Sequence, residues 1–215
     1  MKPAYLTFKI LALPVALAVL ACLALPAAQA ADAPDPHAHH HHHAEVGKAA
    51  TTTTTRQVEV KLPAIPLLRA DGRSVDLATE LADPRPLLLN FIFTTCTAIC
   101  PVMSQVFYEV QGRLGTDSAK LRMVSISIDP EYDTPVRLAE YAKRFQAGPQ
   151  WQFYTGTAGA SIAAQKAFGV YRGDKMNHEP LTFLRQGSGQ SWVRIDGLAR
   201  PDDLIRQLKT TVASR

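Results

Sequence analysis

The sequence predicts an α/β fold, a central mixed sheet with helices on both faces that closes with a C-terminal hairpin and helix. Three observations carry this. Leu87 to Phe93 (LLLNFIF) is nearly continuous apolar sequence, as suits a central strand covered on both faces. Strand-like runs then alternate with amphipathic helical ones, the order that produces a mainly parallel sheet. Late in the chain, Leu181 to Leu184 and Trp192 to Ile195 flank Gly187-Ser188-Gly189 as a hairpin, which makes the sheet mixed.

Each element has its local reason. Val58, Val60 and Leu62 alternate as a half-buried strand does. Leu67 to Leu77 holds Asp71-Gly72, a strong turn signal, between short apolar flanks. After Pro101, Val102, Val106, Val110 and Leu114 recur at four-residue spacing beside Met103 and Phe107, one helical stripe. Met123, Val124, Ile126 and Ile128 mark a second buried strand. Asp133-Thr134-Pro135 opens a helix, with a capping side chain just ahead of a proline suited to the first turn. Leu138, Tyr141, Ala142 and Phe145 form its core face. Trp151 to Tyr154 reads as a strand, and Ser161 to Phe168 as a short helix ended by Gly169. Pro201-Asp202-Asp203 starts the last helix, whose Leu204, Ile205, Leu208 and Val212 face inward. Residues 56–215 are expected to form one domain, long enough to bury such a core.

Two segments precede that domain. Lys2 and Lys9 lead an uncharged run from Ile10 to Ala31 that ends in Ala28-Gln29-Ala30, the layout of an export signal. Cleavage after Ala30 is expected. The run is 22 residues long, enough for an uncleaved membrane anchor, and Cys22 after Val19-Leu20-Ala21 forms an imperfect lipidation site. Residues 1–30 are therefore expected to act as signal peptide or membrane anchor, and every variant puts the remainder on the periplasmic side of the cytoplasmic membrane. Residues 31–55 (ADAPDPHAHHHHHAEVGKAATTTTT) lack apolar periodicity and read as a disordered tail. Six of the seven histidines fall between His37 and His43. Neutral imidazoles gather copper, zinc or nickel, so the tract reads as metal-collecting, with a purification tag or spacer as the alternative.

Charge and cysteine counts exclude other classes. Lys and Arg number 23 against 19 acidic residues, and setting Lys2 and Lys9 aside leaves 21. These are scattered singly, so no electrostatic footprint for nucleic acid is present. Three cysteines cannot make a disulfide-rich scaffold. With Cys22 in the leader, the exported part keeps only Cys96 and Cys100, in a compartment where thiols are readily oxidised.

Those two lie in FTTCTAICP, between the buried strand and the helix after Pro101. Proline disfavours helical geometry in the residue before it, which places Cys100 at the helix threshold rather than inside it. Unpaired backbone N–H groups there favour a thiolate. Strand, cysteine pair, helix is the thioredoxin layout with one residue more than C-x-x-C. An inert disulfide closing about five residues stabilises by only about 2 kcal/mol in the chain-entropy model. A redox pair or a set of metal ligands fits better. Thiolates prefer Cu(I), zinc or iron–sulfur clusters, and two of them need a third ligand. Outside the tail the only histidine is His178, in GDKMNHEPLTFL before the hairpin strand, with Met176 as a further sulfur nearby. Two thiolates and one imidazole suit Cu(I) through the sulfurs and Cu(II) through all three.

FTTCTAICP, then VSISIDPEYDTP, then a single histidine before a terminal hairpin, resembles the Sco/SenC family of copper chaperones for cytochrome c oxidase, over about Val58 to Leu208. The resemblance implies a thioredoxin-like, three-layer domain that binds one copper ion through Cys96, Cys100 and His178. It implies delivery of Cu(I) or Cu(II) to the binuclear copper site of oxidase subunit II. Other periplasmic copper carriers or thiol oxidoreductases are further expected partners. Some members of the family act as thiol–disulfide reductants, so a redox role for Cys96 and Cys100 stays open beside the chaperone role. Peroxidase chemistry is a weaker third reading, on the Thr94-Thr95-Cys96 segment. Asp129 and Asp133 match acidic positions of the family near the site. One position departs: the family often carries Asp before the histidine, where this chain has Asn177, and the adjacent Glu179 is the candidate substitute. Pro180 stands where thioredoxins place a cis-proline, although trans is the usual form of such bonds.

Overall fold

The structure, a computed structural model of the chain, describes residues 53–187 and 189–212. The expected leader (residues 1–30), the histidine tract and Cys22 lie outside the described residues. Among those residues, no helix is long and apolar enough to cross a membrane. Among the described residues every peptide bond is trans, that before Pro180 included.

Chain order gives β1 (Thr54–Glu59), β2 (Pro66–Arg69), β3 (Ser74–Asp76), α1 (Leu77–Glu80), β4 (Leu87–Ile92) and α2 (Ile99–Leu114). There follow β5 (Arg122–Ser127), α3 (Pro135–Arg144), β6 (Trp151–Gly156), α4 (Ala158–Ala167), β7 (Leu181–Arg185), β8 (Ser191–Asp196) and α5 (Pro201–Val212). The strands form one mixed sheet in the order β1-β8-β7-β4-β5-β6-β2-β3. Only β4–β5 and β5–β6 pair in parallel, so the parallel part is a three-stranded centre rather than most of the sheet.

β4 is buried at every position, as its apolar run requires. Its side chains alternate between two cores. Leu87, Leu89 and Phe91 pack with Leu77 of α1 and with Ala160 and Ala164 of α4. Leu88 and Ile92 pack with Phe107 of α2, Leu138 and Tyr141 of α3, and Leu204 and Leu208 of α5. The expected three layers are therefore observed, with helices on both faces. The inward placement expected for Val212 lies outside the described side chains.

Local differences from the sequence reading have physical causes. β1 starts at Thr54, because the threonine run itself pairs with β8, Thr54 opposite Asp196 and Thr55 opposite Ile195. α4 starts at Ala158 rather than Ser161, because the Thr157 hydroxyl caps it by accepting from the Ala160 amide at 3.2 Å. The stripe of α2 runs through Cys100, Met103, Phe107 and Val110, which leaves Val102 exposed. α2 also begins at Ile99, so Cys100 lies inside its first turn, not at the threshold. Proline is tolerated there because its missing N–H would have had no intrahelical partner.

Candidate metal centre

The parallel strands deliver their ends to one edge of the sheet, where open α/β folds place ligands. β4 gives way to Phe93 and Thr94, and the Phe93 carbonyl accepts from the Cys96 amide at 3.1 Å. The loop then turns directly into α2. Its first turn brings the Cys100 amide to 3.4 Å from Cys96 Sγ. Both thiols are free, Cys96 half-buried and Cys100 fully buried.

This geometry divides the two sulfurs. Burial pushes the Cys96 thiol up, but the backbone N–H groups of Cys100, Ala98 and Ile99 and the Cys100 thiol outweigh it, so its pKa falls below the ordinary thiol value. Burial drives Cys100 strongly upward, helped by the neighbouring Cys96 sulfur and the Asp133 carboxylate. The thiolate expected at Cys100 from its place near the helix start belongs instead to Cys96. The helix N–H groups aim back at the residue before the turn, not at the one within it.

A consequence can be measured by alkylating the reduced protein across pH and locating the adduct by mass spectrometry. Cys96 should react with a midpoint below the usual ~8.5. Cys100 should react at least tenfold more slowly at pH 7, since only thiolate attacks. Equal rates at the two sulfurs would refute this asymmetry.

His178 follows a one-turn 3-10 helix, Lys175–Asn177, that Asp174 caps by accepting from the Met176 amide. Its ring meets Phe93 edge-on, with centroids 6.4 Å apart. His178 Nε2 lies 2.9 Å from the Phe91 carbonyl oxygen. A carbonyl only accepts, so Nε2 carries the proton and Nδ1 is left with the free lone pair. Burial lowers the imidazole pKa, which keeps the ring neutral, the form that binds metals. Glu179 does not take the role expected of it beside the histidine: its carboxylate accepts from Arg172 Nη2 at 2.8 Å. Asn177 is exposed, and Met176 is 73% exposed.

Asp129 and Asp133 both support the site. Asp133 is buried and accepts from the Thr94 amide, from Thr94 Oγ1 at 2.5 Å and from Ser127 Oγ at 2.6 Å. It anchors the start of the cysteine loop, while Thr134 does the helix capping, accepting from the Arg137 amide. Asp129 accepts from Lys175 Nζ at 2.6 Å, and its own amide donates to Ser127 Oγ at 3.0 Å. Ser127 and Lys175 carry no signal in the sequence, and Thr94 stands out there only as part of the Thr94-Thr95-Cys96 segment.

Among the described residues, no group of three or more His, Cys, Asp or Glu side chains stands close enough to hold a metal ion. The structure brings the two cysteines together and rests the imidazole on the Phe91 carbonyl, at the end of the strand from which the cysteine loop departs. Holding one ion with all three requires Nδ1 and the sulfurs to come closer together, and the Nε2 hydrogen bond to the carbonyl can persist while Nδ1 binds.

The sequence model of a family described as SCO1/SenC matches residues 63–213. The chain is 29% identical over 150 residues to the SCO1 protein homolog of Bacillus subtilis, covering 65% of this chain and 77% of that protein. It is 30% identical over 132 residues to the SCO2-like protein of Rickettsia felis, covering 57% of this chain and 63% of that protein. Among solved structures it resembles BsSco, a member of the Sco family of cytochrome c oxidase assembly proteins in which a disulfide switch was identified. That match has a TM-score of 0.61 at 25% identity and covers 74% of this chain and 98% of the other. Copper-bound Sco1 of yeast matches with a TM-score of 0.62 at 21% identity, over 74% of this chain and 96% of the other, a likeness of fold.

Proposed function

Because this chain belongs to the SCO1/SenC family, we propose that it is an exported metallochaperone that carries one copper ion on Cys96, Cys100 and His178 and delivers it to the binuclear copper site of cytochrome c oxidase subunit II. The observation that carries this reading is the donor set at one edge of the sheet: a sulfur stabilised as thiolate, a second sulfur behind it, and a neutral imidazole with Nδ1 free. Two sulfurs suit Cu(I), and adding nitrogen suits Cu(II). BsSco belongs to a family of oxidase assembly proteins, and a yeast relative was solved with copper bound, both of which support the assignment. Release proceeds by ligand exchange, in which donors of the recipient replace those of this chain one at a time. Half-exposed Cys96 is the sulfur a recipient reaches first.

The test is a copper titration of reduced protein whose six tract histidines are replaced by alanine, against a competing chelator of moderate affinity. One equivalent each of Cu(I) and Cu(II) is the expected result. No stoichiometric retention overturns the chaperone reading.

One observation favours a second reading, thiol–disulfide exchange. The split between an accessible, acidic Cys96 and a buried, protonated Cys100 is what an attacking and resolving pair needs. The Cys96 thiolate attacks a partner disulfide and releases one partner thiolate. Cys100 then loses its proton and attacks the Cys96 sulfur, which leaves a Cys96–Cys100 disulfide and the second partner thiol.

A further inference from the structure

The two halves of the centre are keyed to the same short turn between β5 and α3, residues 128–134, through different carboxylates. On the cysteine side, Asp133 holds Thr94, two residues before Cys96. On the histidine side, Asp129 holds Lys175, and the Lys175 carbonyl accepts from the His178 amide at 3.1 Å, closing the 3-10 turn between them. Lys175 and His178 therefore move as one unit. Ser127 links the two residues, donating from its hydroxyl to the Asp133 carboxylate and accepting from the Asp129 backbone amide. The Lys175 ammonium also stands 5.7 Å from the centre of the Phe93 ring, which the His178 imidazole meets edge-on.

We propose that Lys175 is a positioning residue for the histidine ligand: its ion pair with Asp129 fixes the 172–179 loop against the end of β5, so that Nδ1 of the imidazole stays within reach of the cysteine pair. This rests on the copper reading above. The imidazole of this chain has a backbone carbonyl as partner and no carboxylate, because Glu179 is engaged by Arg172. Beyond that carbonyl and the Phe93 ring, the position of the imidazole is set by the loop that carries it. The loop has few other anchors in the core, since Asp174, Met176, Asn177 and Glu179 are all exposed. Without the tether, binding through nitrogen has to order the loop as well as the ring, and that entropy weakens Cu(II) while leaving a dithiolate Cu(I) site nearly untouched.

The experiment measures Cu(I) and Cu(II) affinities and the nitrogen coupling in the Cu(II) electron paramagnetic resonance spectrum. It compares Lys175→Met, Lys175→Arg and Asp129→Asn in the full chain with the tract histidines replaced. Lys175→Met and Asp129→Asn should each lower Cu(II) affinity at least tenfold, the lower end of the range for outer-shell partners of metal ligands. Nitrogen coupling should weaken, Cu(I) affinity should stay within about threefold, and Lys175→Arg should restore Cu(II) binding. The lysine side chain is 40% exposed, so thermal unfolding should barely shift. Cu(II) affinity within twofold of the parent with its nitrogen coupling intact overturns the proposal, as does a parallel fall of both copper affinities. Should Lys175→Met fail to fold, Asp129→Asn decides by the same readings. A parent protein that binds no copper overturns the function reading and the tether with it.

Discussion

Replacing Cys96 by serine is expected to abolish copper retention against a moderate competitor, a larger loss than the ~10–100-fold that follows removal of an outer-shell partner. The reason lies in the asymmetry of the pair. Cys96 is the sulfur that the amides of Cys100, Ala98 and Ile99 favour as thiolate, whereas Cys100 is buried and held protonated. A serine hydroxyl is a hard, neutral donor that soft Cu(I) does not accept. What remains is one sulfur that must lose its proton against desolvation, and one imidazole resting on a carbonyl. The buried Cys100 side chain is untouched, so the α2 packing stays in place and the fold should survive. Isothermal titration with Cu(I), alongside near-ultraviolet circular dichroism to show folding, checks this. Stoichiometric copper in the Cys96→Ser protein would remove Cys96 from the site.

His178→Ala should separate the two oxidation states. Cu(II) affinity should fall by at least two orders of magnitude, since a ligand rather than an outer-shell partner is lost. Cu(I), served by two sulfurs, should change less than tenfold. The rate of thiol–disulfide exchange should be unaffected, because no proton or electron in that sequence passes through the imidazole. The same variant thereby discriminates the two readings of the cysteine pair. Cu(II) binding unchanged in His178→Ala would take the histidine out of the centre and leave exchange as the better account. The alanine also removes the ring from Phe93 and frees the Phe91 carbonyl, so a modest loss of stability is expected and is measured separately by thermal unfolding.

Much of the architecture was legible because it is written in local pattern. LLLNFIF fits a strand covered on both faces, and Thr134-Pro135 announces a helix by hydrogen-bonding chemistry that operates within four residues. Pairings between distant segments were not legible. Nothing local says that Thr54 will stand opposite Asp196, or that β2 will close the far side of β6. The candidate ligands were visible by subtraction, once the leader and the tract had accounted for the other cysteine and histidines. Their electrostatics were misassigned, because the donors of a helix start serve the residue that precedes the turn. Asp133 read as a possible cap, yet its partners are Thr94 and Ser127, and only the docking of β4 beside β5 reveals them. Lys175 carried no signal at all. A lone lysine in a polar loop looks like a solvated charge until the fold sets it against Asp129.

The placement of β7 bears on the order in which this protein becomes competent. β4, the cysteine loop, α2 and β5 are continuous in sequence, yet the edge of β4 facing away from β5 is filled by a strand that begins at Leu181. The imidazole arrives with that late strand. A chain synthesised from its N-terminus therefore holds both cysteines before it holds His178. On the proposed copper reading, the nitrogen ligand joins the two sulfurs only once β7 has paired beside β4.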